Sequence, residues 1–251
     1  MRTSIAIGLA LGLSVLGSGA HAVEAKPVRF ILVGDSTMAK TSGYGNAFCE
    51  RVAVADTCLN LARAGRSSAS FRREGRWDEV EGLLRGSAAY RATYVLIQFG
   101  HNDQPGKPGH STDLATEFPA NIARYAREAR ALGAVPVLVT PLTRRTFVGG
   151  QLDNNLRPWA DAVLKVARQE HVSVLDLNAD SHAAVQAMGQ DEADTLAVAP
   201  RPAGWGGPAA PARTAFDRTH LGSKGAAYFA RMVERELTNA LPDLAAEFPP
   251  R

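Results

Sequence analysis

This chain carries no real excess of either charge: 28 Lys and Arg face 25 Asp and Glu, a formal net charge of +3. So mild a balance gives no broad electrostatic grip on nucleic acid, although a pI near 9.0 tolerates an acidic polymer as substrate. Cysteine is nearly missing, with only Cys49 and Cys58. Without a histidine cluster to match, that pair argues against a structural zinc site. Beyond residue 22 no apolar run is long enough to cross a bilayer. Nowhere does Gly-x-Ser-x-Gly occur, which excludes the nucleophile elbow of the α/β-hydrolase plan. Neither an internal repeat nor a linker divides the chain.

What is present describes an ordinary globular protein. A chain of 251 residues with 45% hydrophobic content and 21% charge has room for one sizeable core. The first 22 residues stand apart: Met1-Arg2 is a short positive start, Ile5 to Leu16 is apolar, and Ala20-His21-Ala22 has the small-x-small form of a cleavage site. That apolar core is too short to span a membrane, so residues 1–22 read as a signal peptide rather than a retained anchor, leaving 23–251 as a single domain. An exported chain is periplasmic or extracellular, with no membrane attachment once the signal is removed. In that oxidising setting Cys49 and Cys58 favour a disulfide closing a short loop, with two buried free thiols as the other reading.

Apolar, β-branched runs read as strands from Val28 to Gly34, Thr57 to Ala62, Ala92 to Phe99, Val135 to Thr140 and Val172 to Leu177. A helix or helical turn is expected over Tyr44 to Val54, and helices from about Glu117 to Leu132 with Gly133 as the stop and around Leu156 to Val166. A last helix runs from near Ser223 to about Asn239. This alternation predicts a mostly parallel sheet of about five strands with helices on both faces. From 197 to 214 the composition turns to Ala, Pro and Gly around Trp205, which makes a long loop, either functional or a plain surface excursion.

Polar clusters punctuate this frame. Gly34-Asp35-Ser36-Thr37, Gly65 and Gly100-His101-Asn102-Asp103 fall at strand ends, and Asp217-Arg218-Thr219-His220 precedes the last helix. In open parallel sheets the carboxyl ends of the strands face the ligand crevice, which puts Ser36 at the mouth of a site. Nucleophilic catalysis needs a hydroxyl, a base to take its proton, and a group that orients the base. Ser36, His220 and Asp217 supply these, since a carboxylate three residues before an imidazole can fold back to Nδ1 and leave Nε2 for the serine. The Ser36 and Gly65 N–H groups and the Asn102 amide are candidate donors to an oxyanion. Each also has a bland reading: Asp35-Ser36-Thr37 as a helix cap, Gly65 as a turn glycine, Asn102 as a turn residue and His220 as a satisfied buried histidine.

The whole set resembles the SGNH hydrolases, also called GDSL esterases, whose four separated blocks supply Ser, Gly, Asn and Asp-x-x-His. More narrowly, Gly34 to Ala39, Asn60 to Ser68, Phe99 to Gln104 and Asp217 to Leu221 look like rhamnogalacturonan acetylesterases. Thr37, where many members of the superfamily have Leu, fits that branch and tells against a lipase-like assignment. The resemblance implies a three-layer α/β/α sandwich of flavodoxin type. It also implies a serine esterase acting on an acetylated polysaccharide or oligosaccharide, with no metal and no organic cofactor. Asp35, Thr37, His101, Arg201 and Trp205 are the candidates for substrate contact. Other small-acyl esters or thioesters are an alternative substrate class, and a catalytically silent carbohydrate-binding protein is a third reading, which an intact Ser36, Asp217 and His220 set argues against.

Overall fold

A computed structural model describes residues 26–200 and 216–250. Arg201, Trp205, the 1–22 leader and most of the 197–214 loop therefore lie outside the described residues. Five parallel strands, β1 (Val28–Gly34), β2 (Thr57–Asn60), β3 (Ala92–Gln98), β4 (Val135–Val139) and β7 (Ser173–Leu175), form one sheet in the order β2-β1-β3-β4-β7. The chain steps from β1 out to β2, then returns across β1 to β3. That reversal opens a crevice at the carboxyl ends of β1 and β3.

All seven residues of β1 are buried because both faces of the sheet are covered. Phe30 and Leu32 point into one core, with Phe48 of α1 (Gly45–Cys49), Val185 of α6 (Leu177–Asp194) and Phe229, Val233 and Leu237 of α7 (Ser223–Ala240). Ile31 and Val33 point into the other, with Phe71 of α2 (Ser68–Arg73) and Trp77 and Val80 of α3 (Arg76–Leu84). Ile122 and Tyr125 of α4 (Glu117–Ala131) and Trp159 and Val163 of α5 (Arg157–Glu170) complete that second core. The expected parallel sandwich is thus the fold adopted. Arg29, within β1, is tolerated because its guanidinium donates to Thr93 Oγ1, the Leu83 carbonyl and Ser87 Oγ and lies 4.2 Å from the Tyr90 ring centre.

Several elements differ from expectation. The element after β1 is the helical turn, confined to Gly45–Cys49, whereas the Asn60 to Ser68 region leads into α2 and α3, which lack a long apolar stripe. The fifth strand stops at Leu175 because Asp176 caps α6, its side chain accepting the Ala179 N–H. Helix α6 itself escapes a periodicity search: its apolar residues are scattered and Gly189, at φ 73°, breaks it near its end. A small hairpin, β5 (Phe147–Val148) and β6 (Gln151–Leu152), turns on Gly149 and Gly150, both at positive φ. A Gly-Gly pair between apolar residues is the local signal for such a turn.

Cys49, at the end of α1, is bonded to Cys58 in β2, nine residues on. Closing a loop that short constrains the unfolded chain and, on the entropy model, stabilises the fold by about 2–3 kcal/mol. The Cys49→Ala/Cys58→Ala protein is expected to lose about that much in a urea melt. A loss below about 0.5 kcal/mol would show that the bridge adds no stability.

Candidate active site

The site begins where β1 ends. At Gly34 a Cβ would lie 2.7 Å from the Gln98 carbonyl oxygen, so only glycine lets the ends of β1 and β3 sit this close. The chain then makes a single tight turn, with the Met38 and Ala39 N–H groups donating to the Asp35 carbonyl. Inside that turn Asp35 Oδ1 accepts from the Thr37 N–H and hydroxyl, both at 2.9 Å. Thr37 Oγ1 in turn accepts from Gln98 Nε2 at 2.6 Å, and Tyr44 donates its hydroxyl to Gln98 Oε1 at 2.7 Å. His101 Nδ1 lies 3.3 Å from Asp35 Oδ2.

This arrangement corrects the assignment of Asp35 and Thr37 to substrate contact. Both side chains are fully buried and their polar atoms are used within the protein, so they support the Ser36 turn from beneath. Burial pushes the Asp35 carboxyl up, but the neighbouring His101 and the Thr37 donors outweigh it and hold it below its ordinary value. Burial holds the His101 imidazole below its own ordinary value, against the pull of Asp35. His101 forms part of the cleft wall while remaining almost wholly buried.

Ser36 is the member of the turn that lines the cleft. Its Oγ lies 2.9 Å from His220 Nε2, and His220 Nδ1 lies 2.8 Å from Asp217 Oδ2. The other Asp217 oxygen accepts the Thr219 and His220 N–H groups at 2.9 Å each, so the carboxylate folds its own turn while orienting the ring. Burial raises the Asp217 carboxyl, yet the His220 backbone N–H, its imidazole and the Thr219 N–H lower it further, leaving it below its ordinary value and ionised. An ionised carboxylate on Nδ1 fixes the tautomer that leaves Nε2 able to take a proton from Ser36. Ser42 joins the two turns: its hydroxyl donates to the Ser36 carbonyl at 2.8 Å, and its carbonyl accepts the Leu221 N–H at 2.9 Å.

Asn102 lies across the same cleft. Its Nδ2 donates to the Arg66 carbonyl at 3.1 Å and its Oδ1 accepts from Lys107 Nζ at 3.3 Å. One amide hydrogen therefore remains for a ligand. Among the described residues no partner is found for the Ser36 N–H. Gly65 is glycine because of its backbone, at φ 79°, and not for want of room, since nothing lies within 4 Å of where a Cβ would stand. Gly65 is not among the residues that line the cleft, but the next residue, Arg66, accepts from the Asn102 amide. Asp103, next to Asn102, accepts from the Ser68 N–H and hydroxyl and from Thr112, and burial pushes its carboxyl up to about 7.

The cleft, of about 420 Å³, also presents Lys107, Arg144 and Phe216. Arg144 and the buried Arg145 follow β4, whose carboxyl end faces the crevice, and that topological signal could have found them. Ser42 carried none. Among the described residues no group of three or more His, Cys, Asp or Glu is placed to hold a metal ion.

A serine, histidine and aspartate in hydrogen-bonding sequence at the switch point of an open parallel sheet is the equipment of a serine acyl hydrolase. The chain belongs to the GDSL-like lipase/acylhydrolase family, which it matches over residues 32–228. It is similar to the rhamnogalacturonan acetylesterase RhgT of Bacillus subtilis (strain 168), at 34% identity over 217 residues, 83% of this chain and 88% of the relative. A second similar protein of the same organism, the probable rhamnogalacturonan acetylesterase YesY, is 27% identical over 80% of this chain and 85% of its own. In fold it resembles the crystal structure of the Bacillus subtilis protein YXIM, with a TM-score of 0.67 and 24% identity over 89% of this chain. The chain spans 59% of that protein's length.

The geometry at Asn102 yields a sharp expectation. As an oxyanion donor its free amide hydrogen matters most in the transition state, so Asn102→Ala should lower kcat by about 10²-fold or more with little change in KM. Asn102→Asp should fold, melt close to the wild type and be at least as slow, because a carboxylate repels the oxyanion. Steady-state kinetics and melts on both variants check this, and near-normal kcat in either removes Asn102 from the mechanism.

Proposed function

We propose that this protein is an exported serine esterase that removes acetyl groups from a pectic polysaccharide. The observation that carries the reading is the chain of contacts from Asp217 through His220 to Ser36, at 2.8 and 2.9 Å. Ser36 Oγ attacks the acetyl carbonyl carbon while His220 Nε2 takes the hydroxyl proton. The Ser36 and Gly65 N–H groups and the Asn102 amide receive the oxyanion. Collapse breaks the bond to the sugar oxygen, which leaves with the proton from His220, and the acetyl group stays on Ser36. Water, deprotonated by His220, then attacks that ester, releasing acetate and restoring the serine.

The substrate class draws support from the relatives' names and from the charge of the cleft. Lys107 and Arg144 line it, and among the described residues neither is in an ion pair. Arg144 donates to Asn155 Oδ1, and Lys107 to the His101 carbonyl and Asn102 Oδ1. Burial first and the Arg144 charge second hold the Lys107 ammonium below its ordinary value, outweighing the opposing pull of Asp35 and Asp103. Two cleft-lining cations can receive a carboxylate on the sugar, which suits a polymer rich in uronic acid. The leader, with its small-x-small Ala20-His21-Ala22, supports the reading of export.

Acetate release from a panel of acetylated polysaccharides tests the substrate. The expected order places acetylated rhamnogalacturonan above acetylated xylan. Arg144→Met should raise KM for the acidic substrate about tenfold, roughly 1.4 kcal/mol, and change that for p-nitrophenyl acetate far less. Equal effects on both would remove the carboxylate contact.

A further inference from the structure

The Asp217–His220 turn is gripped through its backbone by one residue. The Arg145 N–H donates to the Arg218 carbonyl at 2.9 Å, and its guanidinium reaches the other three carbonyls of the turn. Nη2 donates to His220 O at 2.8 Å and Asp217 O at 3.3 Å, and Nη1 to Thr219 O at 3.4 Å. All four consecutive carbonyls of the Asp-x-x-His segment thus end on Arg145. The side chain has no exposure to solvent, and none of the described ion pairs includes it.

A buried guanidinium is costly unless its donors are well used. Here the cost is visible: burial pulls Arg145 down to about 10, with Asp217 and Asp194 opposing that pull, and its Nε finds no partner. A fold needing only to fill this space would be served by an apolar side chain. What an apolar side chain lacks is a planar fork able to hold several carbonyls at once. The segment needs such a hold because it is neither helix nor strand, yet it must keep an imidazole within hydrogen-bonding reach of Ser36. Two further contacts stiffen the clamp. Gln190 Nε2 donates to the Arg145 carbonyl at 3.1 Å, and Arg218 pairs with Asp194 at 2.9 Å.

We infer that Arg145 is a positioning residue for the reaction, holding the Asp217–His220 turn so that Nε2 stays aligned with the Ser36 hydroxyl. The inference rests on the reading of His220 as the general base. Arg145 touches no substrate, so its effect passes through His220 and falls on kcat. Lysine keeps the charge but not the fork, so it is no conservative replacement here.

The test is a double-mutant cycle on p-nitrophenyl acetate hydrolysis, using protein shown by near-ultraviolet circular dichroism to be folded. Arg145→Lys should lower kcat about tenfold to a hundredfold with KM within about threefold of wild type. In the His220→Ala background the same change should cost nothing further, because the residue through which it acts is gone. Gln190→Met, a milder loosening of the clamp, should lower kcat about threefold or more and likewise lose its effect beside His220→Ala. It carries the test if Arg145→Lys does not fold. A folded Arg145→Lys with kcat within about threefold of wild type, an equal further loss in the His220→Ala background, or an unaffected Gln190→Met overturns the inference. Retained activity in His220→Ala alone would instead overturn the serine-esterase reading, so the two failures are distinguishable.

Discussion

Everything about this site depends on bringing two residues 184 positions apart, Ser36 and His220, to 2.9 Å. A hydrogen bond is worth only about 1 kcal/mol net, so it cannot hold that geometry by itself. The sheet does most of the work. Because the strand order reverses between β1 and β3, the turn after β1 lies at an open crevice, and α7 shares the core of Phe30 and Leu32 on that face of the sheet, preceded by the Asp217–His220 turn. Ser42, bonded to both Ser36 and Leu221, ties the two turns directly, and Arg145 holds the histidine side from behind.

The serine side is held by different means. Asp35, Thr37, Gln98 and Tyr44 form a fully buried hydrogen-bonded chain under Ser36. Buried polar groups are expensive when unpaired and rigidifying when satisfied, so this chain fixes the turn more firmly than apolar packing would. Asn102 is likewise restrained at both ends of its amide, with one hydrogen left over. On the proposed reading the cleft is prepared before any substrate arrives, so that an oxyanion would be received without reorganisation.

Much of this is legible in the sequence. Strands β1 and β3 are continuous apolar runs because they are buried on both faces, and their ends carry the polar residues that gather at the crevice. Helix α4 is legible, with its Gly133 stop, because one face is strongly apolar. Helix α6 is not, since its fold rests on the Asp176 cap and tertiary packing rather than on a stripe. The roles of Asp35 and Thr37 escape a sequence reading for a related reason. Adjacency to Ser36 in sequence says nothing of which side of a tight turn a side chain takes, and of these three only Ser36 lines the cleft. Its place after β4 puts Arg145 near the crevice, but its grip on the Asp217–His220 turn is not legible, because its partners are backbone carbonyls, which every sequence possesses.

The central claim is that Ser36 forms an acetyl-enzyme with His220 as its base. Rapid quenching of the enzyme with p-nitrophenyl acetate, followed by peptide mass spectrometry, tests it most directly. The account predicts a transient acetyl group on the peptide that contains Ser36, absent from Ser36→Ala, with turnover in that variant reduced by several orders of magnitude. Acetylation at another residue, or a Ser36→Ala protein that keeps more than about a tenth of wild-type turnover, would contradict it.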